Sequence, residues 1–203
     1  MNTPLTAPLI EFFWDPVSPY TYLASTRIEA LAQRVGARLE WKPFLLGPVF
    51  EAIGNRPNIA IAPKGRYMLD DLALLARHLG VPLQQPQPFP TNSVHANRAA
   101  LAAPADQLPA FARALMRAYW GEGRDIGRPE IVLAVAAECG LDAPTLAERA
   151  QSPEIKTRLR ELTDEAIARG VFGAPTFFVG GRMYWGNDRM DLMEAVLSGR
   201  LAV

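Results

Sequence analysis

The segment 12–21, with the sequence FFWDPVSPYT, constrains the fold more than any other stretch of this chain. It predicts an apolar strand that ends in an Asp-Pro turn and leads at once into a helix. Ser18 is a favoured N-cap residue, and Pro19 suits the first helical position because the N–H that it lacks has no intrahelical partner there. Apolar residues then recur at helical spacing until a glycine ends the pattern. The sequence therefore predicts a strand at 9–14 and one helix at 18–35.

The rest of the chain predicts a strand–helix–strand unit that a helical block interrupts. Residues 38–44 alternate between apolar and polar and predict a second strand, which makes the first unit a parallel βαβ with a right-handed crossover. Residues 175–179 and 182–185 flank a Gly-Gly pair and predict an antiparallel hairpin, followed by a helix at 190–197. Between these parts, the spacing of apolar residues predicts helices over 49–53, 64–79, 93–102, 107–120, 129–139, 143–151 and 152–169. This order predicts an α/β fold.

Composition excludes several classes of function. The chain has 21 basic and 21 acidic residues and no net charge, so we expect no nucleic-acid partner. No apolar run approaches the ~18 residues that a membrane span needs, and Met1–Leu9 lacks the basic residues of a secretory signal. Cys139 is the only cysteine, and we expect it to be buried and inert. One cysteine cannot form an intramolecular disulfide and no secretory signal is present, so we predict a cytoplasmic location. The two histidines have no metal-ligand spacing around them, so we predict no metal site.

Three further stretches carry residue types that bind small ligands, although each also has a purely structural interpretation. Residues 172–176 (FGAPT) place a proline where a strand opens, which a loop proline also explains. Residues 185–189 (WGNDR) precede the last helix, which Asn187 or Asp188 would cap, and such a turn is also an anion nest. Residues 54–68 contain GNRP and KGRYM, whose basic side chains also suit a solvated first turn of a helix.

Taken together, these stretches carry a family resemblance. The run from Ser18 to Thr21 resembles the Cys-Pro-x-Cys corner of the thioredoxin superfamily with both cysteines replaced. Entered by Phe-x-Asp-x-x-Ser-Pro-Tyr, the corner is similar to that of 2-hydroxychromene-2-carboxylate isomerases and kappa-class glutathione transferases, in the DsbA-like branch. The resemblance implies a thioredoxin-like fold with a large all-helical insertion between strands two and three. Residues 1–45 and 165–203 would form the thioredoxin-like domain and 46–164 the inserted helical domain.

The resemblance also implies glutathione as the cofactor and assigns residues to its site. Ser18 would be the catalytic residue, and a cis peptide bond before Pro175 would turn the backbone of Ala174 toward the ligand. The γ-glutamyl end of glutathione would lie at Asn187 and Asp188. The complete implied set of cofactor-binding residues is Ser18, Asn55, Lys64, Ala174, Pro175, Asn187 and Asp188.

Simple energetics explain why a serine suits position 18. A free thiol has a pKa near 8.5, so lowering it by about two units requires about 2.7 kcal/mol of preference for the thiolate. A hydroxyl that donates to an anion supplies about 1.5–3 kcal/mol, and a helix N-terminus adds about 0.3–1 kcal/mol. These two contributions suffice without a cationic partner. Ser18 is therefore expected to stabilise a thiolate rather than to attack a substrate.

The resemblance leaves three functions open. The first is a glutathione-dependent isomerase of the 2-hydroxychromene-2-carboxylate type in aromatic compound degradation, in which the glutathione thiolate adds reversibly to an unsaturated substrate. The second is a kappa-type glutathione transferase or peroxidase, and the third is a redox-inactive thioredoxin-like binding module. Isomerases of naphthalene breakdown carry a lysine for the substrate carboxylate where this chain aligns Phe50. We expect a small electrophilic or aromatic substrate and a homodimer, whereas a DsbA-type oxidase is excluded because the cysteine pair is missing.

Overall fold

The computed structural model describes residues 7–202. The strands are β1 (Leu9–Trp14), β2 (Arg38–Pro43), β3 (Thr176–Val179) and β4 (Arg182–Trp185). The helices are α1 (Pro19–Ser25), α2 (Ile28–Arg34), α3 (Leu46–Ala52), α4 (Ala62–Leu79), α5 (Val94–Ala102), α6 (Leu108–Trp120), α7 (Pro129–Glu138), α8 (Ala143–Ala150), α9 (Pro153–Ala168) and α10 (Met190–Leu197). Short 3-10 turns cover Asn58–Ala60 and Asn187–Arg189. The element order confirms the predicted thioredoxin-like α/β fold, with the helical block inserted between β2 and β3.

The four strands form one sheet in the order β2-β1-β3-β4. β1 pairs parallel with β2 and antiparallel with β3, and β3 pairs antiparallel with β4. The central strand β1 is buried on both faces. On one face, Phe12 stacks on Phe177 with ring centroids 5.0 Å apart and meets the edge of Trp41 at 4.9 Å. This packing fixes β1, and its carboxyl end delivers the chain to the corner at Ser18.

The other face of β1 carries a partly buried ion-pair cluster. The Glu11 carboxylate accepts hydrogen bonds from Lys42 Nζ at 2.7 Å and from both terminal nitrogens of Arg169 at 2.7 Å. The same two cations also bind Glu165 on α9. Hydrogen bonding to Arg169 is the largest influence that lowers the pKa of Glu11, from 4.5 to about 2. The cluster therefore joins β1, β2 and α9 by charge as well as by packing.

The single helix predicted at 18–35 is wrong, because the structure contains two helices with a break at Thr26 and Arg27. The hydroxyl of Ser25 donates to the carbonyl of Tyr22 at 2.7 Å, and that of Thr26 donates to the carbonyl of Leu23 at 2.7 Å. These hydroxyls satisfy carbonyls near the end of α1 and offer the backbone an alternative to a continuous helix. The start of the helix is as predicted, since Ser18 Oγ accepts the amide of Thr21 at 3.3 Å.

The inserted helices share a hydrophobic core with the sheet. Phe12 and Trp14 of β1 belong to the same buried cluster as Leu72 of α4, Phe111 of α6 and Val132 of α7. The division into 1–45 plus 165–203 and 46–164 stays a prediction, and its second boundary falls inside α9. The remaining predicted helices all form, with ends that differ from the prediction by up to three residues.

Two further expectations concern the surface and the start of the chain. Cys139 was expected to be buried, but it is exposed, because it caps the end of α7 beside Gly140. The prediction for Met1–Leu9 concerns residues that lie mostly outside the described range. None of the helices in residues 7–202 combines the length and apolar character that crossing a bilayer requires.

Candidate active site

A cavity of about 630 Å³ opens at the corner between β1 and α1. Its volume falls within the ~300–1,000 Å³ range of small-molecule sites. The walls come from the corner itself, from α3, from the start of α4 and from the segments before β3 and after β4. Six of the seven sequence-predicted site residues line it, namely Ser18, Asn55, Lys64, Ala174, Asn187 and Asp188. The seventh, Pro175, is buried directly behind Ala174.

Ser18 is 5% exposed at the bottom of this cavity. Its Oγ accepts the amide hydrogen of Thr21 at 3.3 Å and donates its own hydrogen to the carbonyl oxygen of Ala174 at 2.8 Å. The hydroxyl thus fulfils two functions at once, as the N-cap of α1 and as a bridge to the segment before β3. Because a hydroxyl has one hydrogen, any new acceptor for Ser18 must replace Ala174.

The peptide bond between Ala174 and Pro175 is cis, as the resemblance implied. The carbonyl oxygen of Pro175 accepts the amide of Gly186 at 3.0 Å, which holds the turn after β4 beside the cis proline. Gly186 itself has φ +101°, a conformation that side chains rarely adopt. This backbone arrangement brings Ala174, Asn187 and Asp188 to the same side of the cavity.

Asn187 and Asp188 do not cap the last helix with their side chains, so that prediction is wrong. With Arg189 they form a 3-10 turn that Gly186 precedes as the cap residue, and Arg189 occupies the cap position of α10 without a side-chain cap bond. The side chain of Asn187 points inward instead. It is 3% exposed, and within residues 7–202 its Oδ1 has no hydrogen-bond partner. Asp188 is 71% exposed at the side chain and pairs with Arg189 at 3.0 Å.

Asn55 and Lys64 line the cavity from the inserted helical block. Asn55 Oδ1 accepts the amide of Arg56 at 2.8 Å, which shapes the loop before α4. Lys64 is exposed in the first turn of α4, so it is solvated and also borders the cavity. Phe50 of α3 lines the cavity beside them.

Sequence reasoning missed a polar pair in the cavity wall. Tyr20 donates its hydroxyl hydrogen to Asp71 Oδ2 at 2.8 Å, and both residues line the cavity. Burial, followed by the hydrogen bond to Asp71, raises the pKa of Tyr20. A signal was available, because Lys64, Met68 and Asp71 recur at the three- and four-residue spacing that places side chains on one helix face. A second signal is the position of Tyr20, which lies two residues after Ser18 in the same corner.

Aromatic side chains form the rim. Trp185 and Phe172 stand together on one lip with ring centroids 4.8 Å apart, and each is more than a third exposed. Tyr67 of α4 also lines the cavity and is 71% exposed. A Cβ atom at Gly173 would collide with the indole nitrogen of Trp185, so glycine is needed there for the Trp185 ring to sit against the backbone. Within the described residues, no group of His, Cys, Asp and Glu side chains is arranged as a metal site.

Comparison with known proteins decides the family. A model of the DSBA-like thioredoxin domain matches residues 9–198. A 2-hydroxychromene-2-carboxylate isomerase from Sphingobium xenophagum is 37% identical over 191 residues, which cover 93% of this chain and 97% of that protein. This chain belongs to the same family. Human glutathione S-transferase kappa 1 is 31% identical, with 93% of this chain and 90% of that protein covered.

The family's solved structures agree with this assignment. The structure of a 2-hydroxychromene-2-carboxylate isomerase superimposes with a TM-score of 0.86 at 33% identity, and covers 95% of each chain. These relatives are isomerases and glutathione transferases, which are enzymes. The chain is therefore an enzyme of the family that contains both.

Proposed function

We propose that this enzyme is a glutathione-dependent isomerase of the 2-hydroxychromene-2-carboxylate type, acting in aromatic compound degradation. The observation that carries the proposal is the convergence of the Ser18 hydroxyl, the Ala174 backbone and the buried Asn187 amide in one cavity. The 37% identity to an isomerase over nearly the full chain supports the same reaction class.

The residues of the cavity suit the chemistry of glutathione. A buried acceptor such as Asn187 Oδ1 that lacks a partner loses free energy unless a ligand donor reaches it, and the ammonium of the γ-glutamyl end is such a donor. Asp188 adds a negative charge at the same end. Lys64 and Asn55 line the same cavity, and a cation beside an amide would suit the glycine carboxylate of an extended tripeptide. A bound tripeptide would also pair its cysteinyl backbone with Ala174, as a strand pairs with its neighbour.

The hydrogen bond between Ser18 and Ala174 favours a peptide thiol over a simple thiol. Turning the Ser18 hydrogen toward a thiolate would leave the Ala174 carbonyl without its donor, which costs about 1–3 kcal/mol when the group is shielded from water. The cysteinyl N–H of glutathione would replace that donor. A thiol without a peptide amide has no donor for the Ala174 carbonyl. Its thiolate would therefore be stabilised less than that of glutathione.

When bound, glutathione would supply a thiolate that adds to an unsaturated carbon of the substrate and later leaves, so that rotation about the intervening bond becomes possible. Ser18 would hold the negative charge on the sulfur. Phe50 and Tyr67 would offer apolar surface to a flat substrate ring, while Tyr20 and Asp71 are the polar groups of that wall. The positive end of the α1 helix dipole, at Ser18 and Pro19, would add to the stabilisation of the anion.

A kappa-type transferase or peroxidase is the second candidate, because kappa-class relatives share 31% identity over most of the chain. Product analysis separates the two reactions. For an isomerase, glutathione is recovered unchanged while the substrate isomerises, and substrate turnover stops when glutathione is omitted. An accumulating glutathione conjugate, or glutathione disulfide formed from a peroxide, would contradict the isomerase proposal and support the transferase or peroxidase.

We also propose a homodimer and a cytoplasmic location. Tyr67, at the mouth of the cavity, and Leu74, seven residues further along α4, are 71% and 61% exposed, and a second copy packed along α4 would cover both. Light scattering should then give a mass near twice the 22.3 kDa of one chain. A mass near that of a single chain would contradict the dimer without bearing on the chemistry.

A further inference from the structure

Asp15, three residues before Ser18, is a buried carboxylate that the proposed chemistry does not use. It is 1% exposed. Its Oδ1 accepts the amide of Val17 at 3.1 Å. Its Oδ2 accepts the amide of Leu46 at 2.8 Å and the hydroxyl of Ser93 at 3.1 Å. One carboxylate therefore contacts the Ser18 corner, the first residue of α3 and the residue before α5.

The three segments that meet at Asp15 are walls of the cavity. Val17 and Ser18 line it from the corner, Leu46 and Phe50 line it from α3, and the segment before α5 contributes Phe89. The backbone of Asp15 also holds the corner, because its carbonyl oxygen accepts a hydrogen bond from the amide of Ser18 at 3.1 Å.

Helix α3 has no cap of its own. Its N-cap residue is Leu45, which has no side-chain acceptor, and the amides of Leu45 and Leu46 instead reach Thr163 Oγ1 at 3.1 Å and Asp15 Oδ2 at 2.8 Å. The first turn of a helix leaves such amides without partners unless a side chain accepts them. Asp15 thus holds the start of α3 from outside the helix.

We propose that Asp15 is a positioning residue, whose ionised carboxylate fixes α3 against the Ser18 corner and so sets the shape of the cavity. This inference rests on the proposed function for its catalytic meaning, although its structural part concerns the free protein. Val17, Leu46 and Ser93 each donate a hydrogen to the carboxylate, the Asn97 side chain also favours its ionised form, and none of the four is charged.

The proposal has a consequence for pH. Protonation removes the charge that strengthens the bonds from the amides of Val17 and Leu46, and neither amide can accept the new hydrogen. Among the three bonded partners, only the Ser93 hydroxyl can turn to accept it, so both amide bonds weaken. Burial raises the pKa of Asp15 to about 6, against the opposing effect of its hydrogen bonds. Burial, and to a smaller extent the charges of Asp125 and Asp15, raises the pKa of Tyr119 of α6. Below that pH, the contact between the corner and α3 is expected to loosen.

The first experiment needs no ligand. The backbone amide shifts of Val17, Leu46 and Phe50 are followed by NMR between pH 4.5 and 8 in the wild type and in Asp15→Asn. We expect all three wild-type shifts to titrate with one midpoint near pH 6, and all three to be flat in the variant. A wild-type titration confined to Val17 and Leu46, with Phe50 unchanged, would overturn the coupling to the cavity wall.

A second variant, Ser93→Ala, tests the same network even if Asp15→Asn does not fold. It removes one donor to the carboxylate and leaves Asp15 in place, so the common midpoint should rise by roughly one to two pH units. An unchanged midpoint would show that the Ser93 contact does not support the ionised carboxylate, and would contradict the proposed network.

The second experiment connects the network to binding. The probe is S-methylglutathione, whose blocked sulfur does not titrate, and its affinity is measured by calorimetry at pH 7.5 and pH 5. We expect wild-type affinity to fall roughly two- to tenfold at the lower pH, the effect of weakening about one hydrogen bond, and Asp15→Asn affinity to be the same at both. Equal pH dependence in both proteins would overturn the inference. If the wild type binds the probe at neither pH, the proposed function is refuted instead. The NMR titration then still decides the role of Asp15.

Discussion

Replacing Ser18 by alanine separates its two functions, the cap of α1 and the proposed stabilisation of a thiolate. The cap bond to Thr21 is long, at 3.3 Å, so its loss should cost about 1 kcal/mol of folding stability. The variant also removes the donor to the Ala174 carbonyl, which adds about 1–3 kcal/mol for a group shielded from water. Losing the charge-assisted bond to bound glutathione should remove about 1.5–3 kcal/mol from the stability of the thiolate. We therefore expect the thiol pKa of bound glutathione to rise by roughly one to two units in Ser18→Ala.

The assay is the ultraviolet absorbance of the thiolate, measured against pH at saturating glutathione. Ser152 provides a matched control, because it also caps a helix that begins with proline and accepts its amide at the same 3.3 Å. Ser152→Ala should show the cost of a lost cap while the thiol titration stays that of the wild type. Identical titrations for wild type and Ser18→Ala would refute the reasoning, and would leave the helix N-terminus as the sole source of stabilisation.

Three further changes test the site and its scaffold. Asp188→Asn should weaken glutathione binding about two- to fivefold by calorimetry, because an exposed charge contributes little to affinity. Gly173→Ala should cost about 1–3 kcal/mol in denaturant unfolding, because the new methyl group collides with Trp185. Glu11→Gln should reduce the loss of unfolding free energy that the wild type shows as pH falls below 4.5. The ion pairs of Glu11 lower its pKa from 4.5 to about 2, so their contribution is complete above pH 4.5 and is lost as pH falls toward 2.

Each of these predictions has its own control. Asp191→Asn removes a neighbouring exposed carboxylate that does not border the cavity, and should leave glutathione affinity unchanged. Gly47→Ala places a methyl group in open space on α3, and should be neutral or stabilise the fold by up to about 1 kcal/mol. If Glu11→Gln and the wild type lose stability in parallel between pH 5 and 2, the ion-pair cluster does not account for the acid limb.

Local chemistry made much of the fold predictable. The bounds of β1 and β4 follow from apolar patterning and from the Gly-Gly turn, and the start of α1 follows from Ser18 and Pro19. The break after α1 was missed, because apolar spacing continues across it while the competing bonds come from the hydroxyls of Ser25 and Thr26. Hydroxyl-to-carbonyl bonds do not change the spacing of apolar residues, so that spacing cannot reveal them.

The site was predictable as far as its residues lie in short motifs. Contacts between distant segments were not, and Asp15 is the clearest case, because its partners Leu46 and Ser93 lie 31 and 78 positions away. The orientation of Asn187 was also beyond local reasoning. An asparagine before a helix suggests a cap, and only the packing of the turn against Pro175 sends its side chain inward.

A crystal structure of the enzyme with glutathione tests the central claim most directly. The account predicts that the sulfur atom lies within hydrogen-bond distance of Ser18 Oγ, that the cysteinyl N–H reaches the Ala174 carbonyl, and that the γ-glutamyl end lies at Asn187. In such a complex the 2.8 Å contact between Ser18 Oγ and Ala174 should lengthen as the hydroxyl turns to the sulfur. A sulfur atom that lies away from Ser18, or glutathione bound outside this cavity, would contradict the account.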